Sequence, residues 1–252
     1  MLRWLVGIVV AVAFILPAQA QQEWGDLKIQ FVYDGKPPAQ KMIPVTQCGD
    51  IKEVPDESLV VNAENGGIAN IIAFAYEDER RGGVELPAVH PSHEKPQAKT
   101  LANEECRFVP RVVCMTPADT LTVTNPDAAP HNAKFEFFEF KNKSVNVLLP
   151  PSKSAVIPIA VPESVPIPVE CNLHPQMRGF VSINRHRYAT ASDAQGIVTI
   201  KDLPVGNIAI RFNHQTLKFP KVKVAGKAID RRSVLKLTIK PGMNDLGKIS
   251  LK

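Results

Sequence analysis

Eight consecutive residues, Glu170-Cys171-Asn172-Leu173-His174-Pro175-Gln176-Met177, deliver a thiol, an imidazole and a thioether as Cys-x2-His-x2-Met. Forty residues before that cysteine, Pro130-His131-Asn132 supplies a second imidazole. Two imidazoles and a thiolate in a trigonal set, with a weak and distant thioether, suit a metal that alternates between Cu(I) and Cu(II). The soft thiolate favours the reduced ion, imidazole accepts both, and the thioether imposes neither geometry. His131, Cys171, His174 and Met177 are therefore the candidate ligands, and one type 1 copper ion is the expected cofactor. Zinc is the competing ion, because a cysteine and two histidines also bind it. A dinuclear copper centre would want a second cysteine in the loop, and a multicopper oxidase would want His-x-His pairs; the chain has neither. It also lacks Gly-x-Ser-x-Gly, P-loop and His-Glu-x-x-His motifs.

Short Val, Ile, Thr and Phe runs punctuated by Pro, Gly and Asn-Asp turns must position these groups, which is an all-β pattern. Strands are predicted at 27–33, 69–76, 108–115, 120–124, 134–140, 155–161, 167–171, 179–184, 197–200, 207–212 and 234–239. On this reading Cys171 ends a strand, the tight loop through Pro175 returns His174 and Met177 to the same point, and Gly179 starts the next strand. Residues 77–105 are polar, hold three prolines and lack periodicity, so they read as a surface excursion with a short helix at 99–104. His90 and His93 are expected in a solvated part of it, and His186 and His214 at the surface.

The first twenty residues set the compartment. Arg3 precedes a run of twelve apolar residues, Leu5 to Leu16, and Ala18-Gln19-Ala20 forms a small-x-small cleavage site. A membrane span needs about 20 apolar residues, so residues 1–20 read as a cleaved signal peptide and the mature protein as secreted or periplasmic, without a later membrane span. Disulfides persist there. Of four cysteines, Cys171 is occupied by the metal set, and Cys106 and Cys114 lie too far apart on one extended strand to bond each other. Cys48 is then left to pair with Cys106 or Cys114. Cys106 is favoured, since it opens a strand beside a loop end while Cys114 sits in an apolar run.

The formal charge is +5, or +4 without Arg3 (29 basic against 25 acidic residues), and the basic residues are scattered. A nucleic-acid surface needs a concentrated basic stripe, so no nucleic-acid partner is expected. With 44% hydrophobic residues the chain builds a real core and is not disordered.

From about Cys106 to Ile183 the chain resembles the cupredoxins, being similar in loop spacing to amicyanin and related to plastocyanin. The run Arg107-Phe108-Val109-Pro110, then Asp119-Thr120-Leu121-Thr122-Val123-Thr124-Asn125, then Pro130-His131-Asn132, followed by the ligand loop, carries the resemblance. It departs at Ala118, where the family usually has Gly. It is also similar to exported, methylamine-utilisation-like cupredoxins, in which a Trp commonly stands at the place of Gln176. The resemblance implies a Greek-key β-sandwich, His131, Cys171 and His174 as equatorial ligands, Met177 as axial ligand, and Asn132 bracing the loops. It further implies that His174 is the solvent-edge ligand and electron port, ringed by Ala129, Pro130 and Pro175. The implied function is one-electron transfer between redox partner proteins, not enzymatic turnover; the other reading is a metal-free cupredoxin-like structural or binding module of the cell envelope. After Tyr188, Ser192-Asp193-Ala194-Gln195-Gly196 and Leu203-Pro204-Val205-Gly206 resemble a carboxypeptidase-regulatory-like β-sandwich. The expected organisation is thus residues 21–105 as an N-terminal β region with the excursion at 77–105, 106–187 as the cupredoxin-like copper domain, and 188–252 as a smaller β-sandwich extension with which 27–76 pairs.

Overall fold

The computed structural model describes residues 22–252, so the expected signal peptide lies outside the described residues. The described chain is all-β, with two short 3-10 turns at Glu79–Arg81 and Pro91–His93. None of its helices is long and apolar enough to cross a membrane.

Four sheets form two sandwiches. In the first, a five-stranded sheet runs in the order Val145–Leu149, His131–Phe135, Ile167–Glu170, Arg178–Ile183, Val112–Met115. It faces a four-stranded sheet ordered Ser154–Ile157, Thr120–Thr124, Ala98–Glu104, Arg107–Val109. Leu101, Phe108, Leu121, Val123, Phe135, Val169 and Val181 fill the space between, all fully buried. Burying a Leu, Val or Phe side chain contributes roughly 1.5–3 kcal/mol. Their inward positions follow the two-residue side-chain period of a strand.

The second sandwich pairs a three-stranded sheet, Ile197–Pro204, Trp24–Tyr33, Gly242–Leu251, with a four-stranded one, Ala189–Ala191, Ile72–Ala75, Gly206–Asn213, Val234–Ile239. Trp24–Tyr33 is the central strand of its sheet, antiparallel to one neighbour and parallel to the other. Its Leu27, Ile29 and Phe31 point into the core at alternate positions. The N-terminal strands thus do pair with the C-terminal part. Ile72, Phe74, Tyr76, Val112, Ala209 and Val234 form a third apolar cluster where the two sandwiches meet.

Three expectations are corrected here. Residues 99–104 are not helical: Ala98–Glu104 is a strand, parallel to Thr120–Thr124 and antiparallel to Arg107–Val109, so the first sandwich draws a strand from ahead of residue 106. The strand expected over 108–115 is two strands in opposite sheets, because Pro110 offers no backbone N–H and the chain crosses the sandwich at Arg111. His186 is buried rather than at the surface, with Nε2 3.4 Å from Glu77, and His214 is half-buried, its pKa lowered to about 4 by burial and by Arg111.

Candidate metal centre

The two strands that deliver the donors are neighbours. Ile167–Glu170 lies between His131–Phe135 and Arg178–Ile183, which brings His131 and Cys171 to the same end of the sheet. The loop after Cys171 closes on itself: the Met177 N–H donates to the His174 carbonyl at 2.9 Å, and the Cys171 N–H to the Met177 carbonyl at 3.3 Å. Gly179 follows the loop where the two sheets come close, since a Cβ there would lie 3.0 Å from the Phe108 Cβ and 3.2 Å from the Arg111 carbonyl.

The result is a buried triad. His131, Cys171 and His174 each present one donor atom, all within 4.8 Å of one another. Cys171 Sγ lies 4.0 Å from His131 Nδ1 and 3.7 Å from His174 Nδ1. The outward nitrogen of each ring has a partner that fixes its tautomer. His131 Nε2 is 2.9 Å from the Asp127 carboxylate, and His174 Nε2 is 3.1 Å from the Gln47 carbonyl. Both partners are acceptors, so both Nε2 atoms carry the hydrogen and both Nδ1 lone pairs face Cys171. Burial holds the His131 pKa below the ordinary histidine value, with nearby His174 acting in the same sense and Asp127 opposing it. A neutral imidazole is the form that binds metal.

Asn132 ties the two strand ends together. Its Oδ1 accepts from the N–H groups of Asn172 (2.8 Å) and Leu173 (3.3 Å), and its Nδ2 donates to Asn146 Oδ1 (2.7 Å) and Asn172 Oδ1 (3.2 Å). Its backbone N–H points to Cys171 Sγ at 3.5 Å. Met177 is 1% exposed and belongs to the same core cluster as Cys171. Gln176 is half-buried and lines, with Met177, Glu57 and Arg111, a cavity of about 250 Å³ beside the loop.

The expected solvent-edge port is not there. His174 is 3% exposed, because the hairpin of Met42–Pro44 and Glu53–Pro55 lays Gln47 over its ring edge. Ala129 is buried as well, its carbonyl accepting from Asn125 Nδ2 at 2.9 Å, whereas Pro130 and Pro175 are exposed. The hairpin is fastened by a disulfide between Cys48 and Cys106, whose Cα atoms are 6.4 Å apart, and Cys114 is free. His90 and His93 join no group of three metal-type donors among the described residues; His93 instead packs against Tyr188 with ring centroids 4.5 Å apart.

Sequence reasoning missed two residues at this site. Asp127 left a signal, a carboxylate four positions ahead of a candidate ligand histidine. Gln47 left none, since it acts through its backbone carbonyl.

No protein-family model matches the chain, and no curated protein matches it. Solved structures with similarity to part of it include amicyanin variants and a purple cupredoxin. The Cu(I) form of one amicyanin variant is 22% identical over 34% of this chain and 82% of its own, with a TM-score of 0.31. The Cu(I) form of another is 17% identical over 44% of this chain and 98% of its own, also at 0.31. A purple cupredoxin from Nitrosopumilus maritimus is 18% identical over 34% of this chain and 99% of its own, at 0.28.

Proposed function

We propose that this protein is a single-copper electron-transfer protein working outside the cytoplasm, with His131, Cys171 and His174 holding the ion and Met177 as its weak fourth ligand. The observation that carries this reading is the orientation of the triad. Asp127 and Gln47 occupy both outward ring nitrogens, so two Nδ1 lone pairs and one sulfur converge in a site closed to water. A bound copper ion supplies one-electron exchange between Cu(I) and Cu(II). The chain supplies the rest. Asn132 holds the Cys171 loop, Asp127 and Gln47 fix the rings, and the surrounding core leaves little room for the donors to move between oxidation states. Export rests on residues 1–20, and redox partner proteins follow from a chain with no enzymatic motif. The second sandwich is the β-domain that its Asp193-Ala194-Gln195-Gly196 and Leu203-Pro204-Val205-Gly206 turns resemble.

The test is addition of Cu(II) to the metal-free protein. One equivalent should bind and give an intense thiolate-to-copper band in the visible range. Cys171→Ser should abolish that band while the fold persists, because oxygen cannot supply the soft covalent bond. A colourless protein, or one that binds zinc in preference and never turns blue, would overturn the reading.

A further inference from the structure

The outward partners of the two histidines meet at one bond. Gln47, whose carbonyl accepts from His174, is the residue before Cys48. Cys48 is bonded to Cys106. The N–H of Cys106 and that of its neighbour Glu105 donate to the two carboxylate oxygens of Asp127, at 2.9 and 2.8 Å, and Asp127 holds His131. One continuous path, His174–Gln47–Cys48–Cys106–Asp127–His131, therefore runs around the outside of the donor triad.

The hairpin that carries half of this path is short, with the Val45 N–H to Lys52 carbonyl bond (2.7 Å) extending its pairing toward the tip. Its two strands are three residues each. Between them Gln47 has φ 65, in the left-handed region that non-glycine residues seldom occupy. Backbone kept in such a conformation persists where its surroundings over-determine it. Here those surroundings are the disulfide and the burial of Val45, Cys48 and Val54 in the core of the first sandwich. Thr46, Gln47, Gly49 and Asp50 are exposed, so local opening starts at this tip.

We propose that the Cys48–Cys106 disulfide is a redox-sensitive lock on the donor triad. Closed, it keeps Gln47 over His174 and Asp127 against His131; opened, it bares the His174 edge to solvent and to partners. Opening takes two electrons and two protons from a dithiol. One of its thiolates attacks a bridge sulfur, the S–S bond breaks, and a mixed disulfide resolves to leave Cys48 and Cys106 as thiols and the reductant as its own disulfide. That the lock controls a copper site rests on the function proposed above; that it controls access to His174 does not.

The experiment therefore uses the full, metal-free chain. Diethyl pyrocarbonate is added before and after complete reduction by a water-soluble phosphine, and the modified histidines are located by peptide mass mapping. Half-exposed His90 serves as the reactive reference and buried His186 as the fold reference. His174 should be unreactive while the disulfide is intact and approach the rate of His90 once it is reduced, with His186 protected throughout. His174 reacting before reduction, or staying protected after it, would overturn the proposal. If His186 also reacts, the reduced chain has unfolded, and Cys48→Ala/Cys106→Ala, labelled at a temperature where His186 stays protected, becomes the deciding variant. In that variant His174 should be reactive without any reductant, and continued protection would overturn the proposal. Failure of the copper reading shows separately, as a wild-type protein that never turns blue.

Discussion

Replacing Asn132 by alanine removes the side chain that joins the two halves of the candidate site. Asn132 is 6% exposed and its side chain makes five hydrogen bonds, two short (2.7 and 2.8 Å), two long (3.2 and 3.3 Å) and one accepted from the Cys171 thiol at 3.4 Å. A typical protein hydrogen bond contributes about 1 kcal/mol net, and an orphaned buried donor costs about 1–3 kcal/mol. The donors left behind, the N–H groups of Asn172 and Leu173, belong to exposed residues that water can reach, so the lower end applies. Two short bonds at about 1 kcal/mol each, with a smaller share from the long pair, give a loss of about 2–3 kcal/mol. That stands clear of the roughly ±0.5 kcal/mol of an ordinary surface substitution. Denaturant unfolding of the metal-free Asn132→Ala protein against wild type measures it. Asn146→Ala, which removes one partner only, should cost about 1 kcal/mol. With copper bound, Asn132→Ala should also hold the ion about 10–100-fold less tightly in competition with a chelator, as removal of a partner behind a ligand does elsewhere. A stability loss below about 0.5 kcal/mol together with an unchanged copper affinity would refute the bracing role, because the loop would then be held by its own backbone bonds.

Four further outcomes follow from the same geometry. Met177→Leu should keep the visible band and raise the reduction potential measured by redox titration, since a thioether that stabilises Cu(II) is gone. Cys48→Ala/Cys106→Ala should lower the unfolding free energy by about 4 kcal/mol in the chain-entropy model of a loop this long, read by denaturant titration. Asp119→Asn should cost about 3 kcal/mol at neutral pH, the low end for breaking a buried ion pair, because Arg187 keeps the His93 and Lys95 carbonyls as partners. Burial alone would raise the Asp119 pKa, but Arg187 and the N–H groups of Thr116 and Gln97 outweigh it and hold it below the usual value; the stability it adds is therefore complete above about pH 4 and lost as pH falls through the depressed pKa, so the gap to wild type should close in acid. Leu173→Glu, at a site 49% exposed between two candidate ligands, should slow electron exchange with a partner protein and leave the visible spectrum unchanged, as stopped-flow mixing would show.

What could be read from the chain, and what could not, divides by how each residue acts. His131, Cys171 and His174 act through distinctive side chains, and the last two stand three residues apart, so the grouping of these three at one sheet end could be expected from the chain. Thr120–Thr124 and Val234–Ile239 were equally plain, since apolar residues alternate through each and the strand bounds agree with the pattern. Ala98–Glu104 was not, because one of its two buried positions is Asn103, paired through Nδ2 with the Thr124 carbonyl at 2.9 Å, and a polar residue in the core breaks the alternation that announces a strand. Gly242–Leu251 carries two glycines and buries only Ile249 and Leu251, so its sequence reads as a turn and its place is set by the neighbouring Trp24–Tyr33 strand. The cover over His174 was hidden for a different reason. It is a carbonyl contact from 127 residues away, and a backbone atom has no sequence signature.

That cover changes how the two sandwiches relate. The hairpin over the triad packs Val45, Cys48 and Val54 into the core of the sandwich that holds the triad, yet in sequence it is spun out between Trp24–Tyr33 and Ile72–Ala75, two strands of the other sandwich. The chain then crosses to the donor side with Ala98–Glu104 and returns after Ile183, where Arg187 grips Asp119 of the donor side through both carboxylate oxygens at 2.6 Å. A unit cut at residue 106 would lose the Ala98–Glu104 strand from the middle of its four-stranded sheet, the hairpin, and with it the partner of His174. A unit cut at 188 would leave Trp24–Tyr33 without either neighbour. The second sandwich therefore bears on the candidate site through the chain: the segment whose Gln47 carbonyl covers His174 leaves one of its strands and returns to another. Three donor side chains that come together in one sandwich are thus covered by a hairpin strung between two strands of the other.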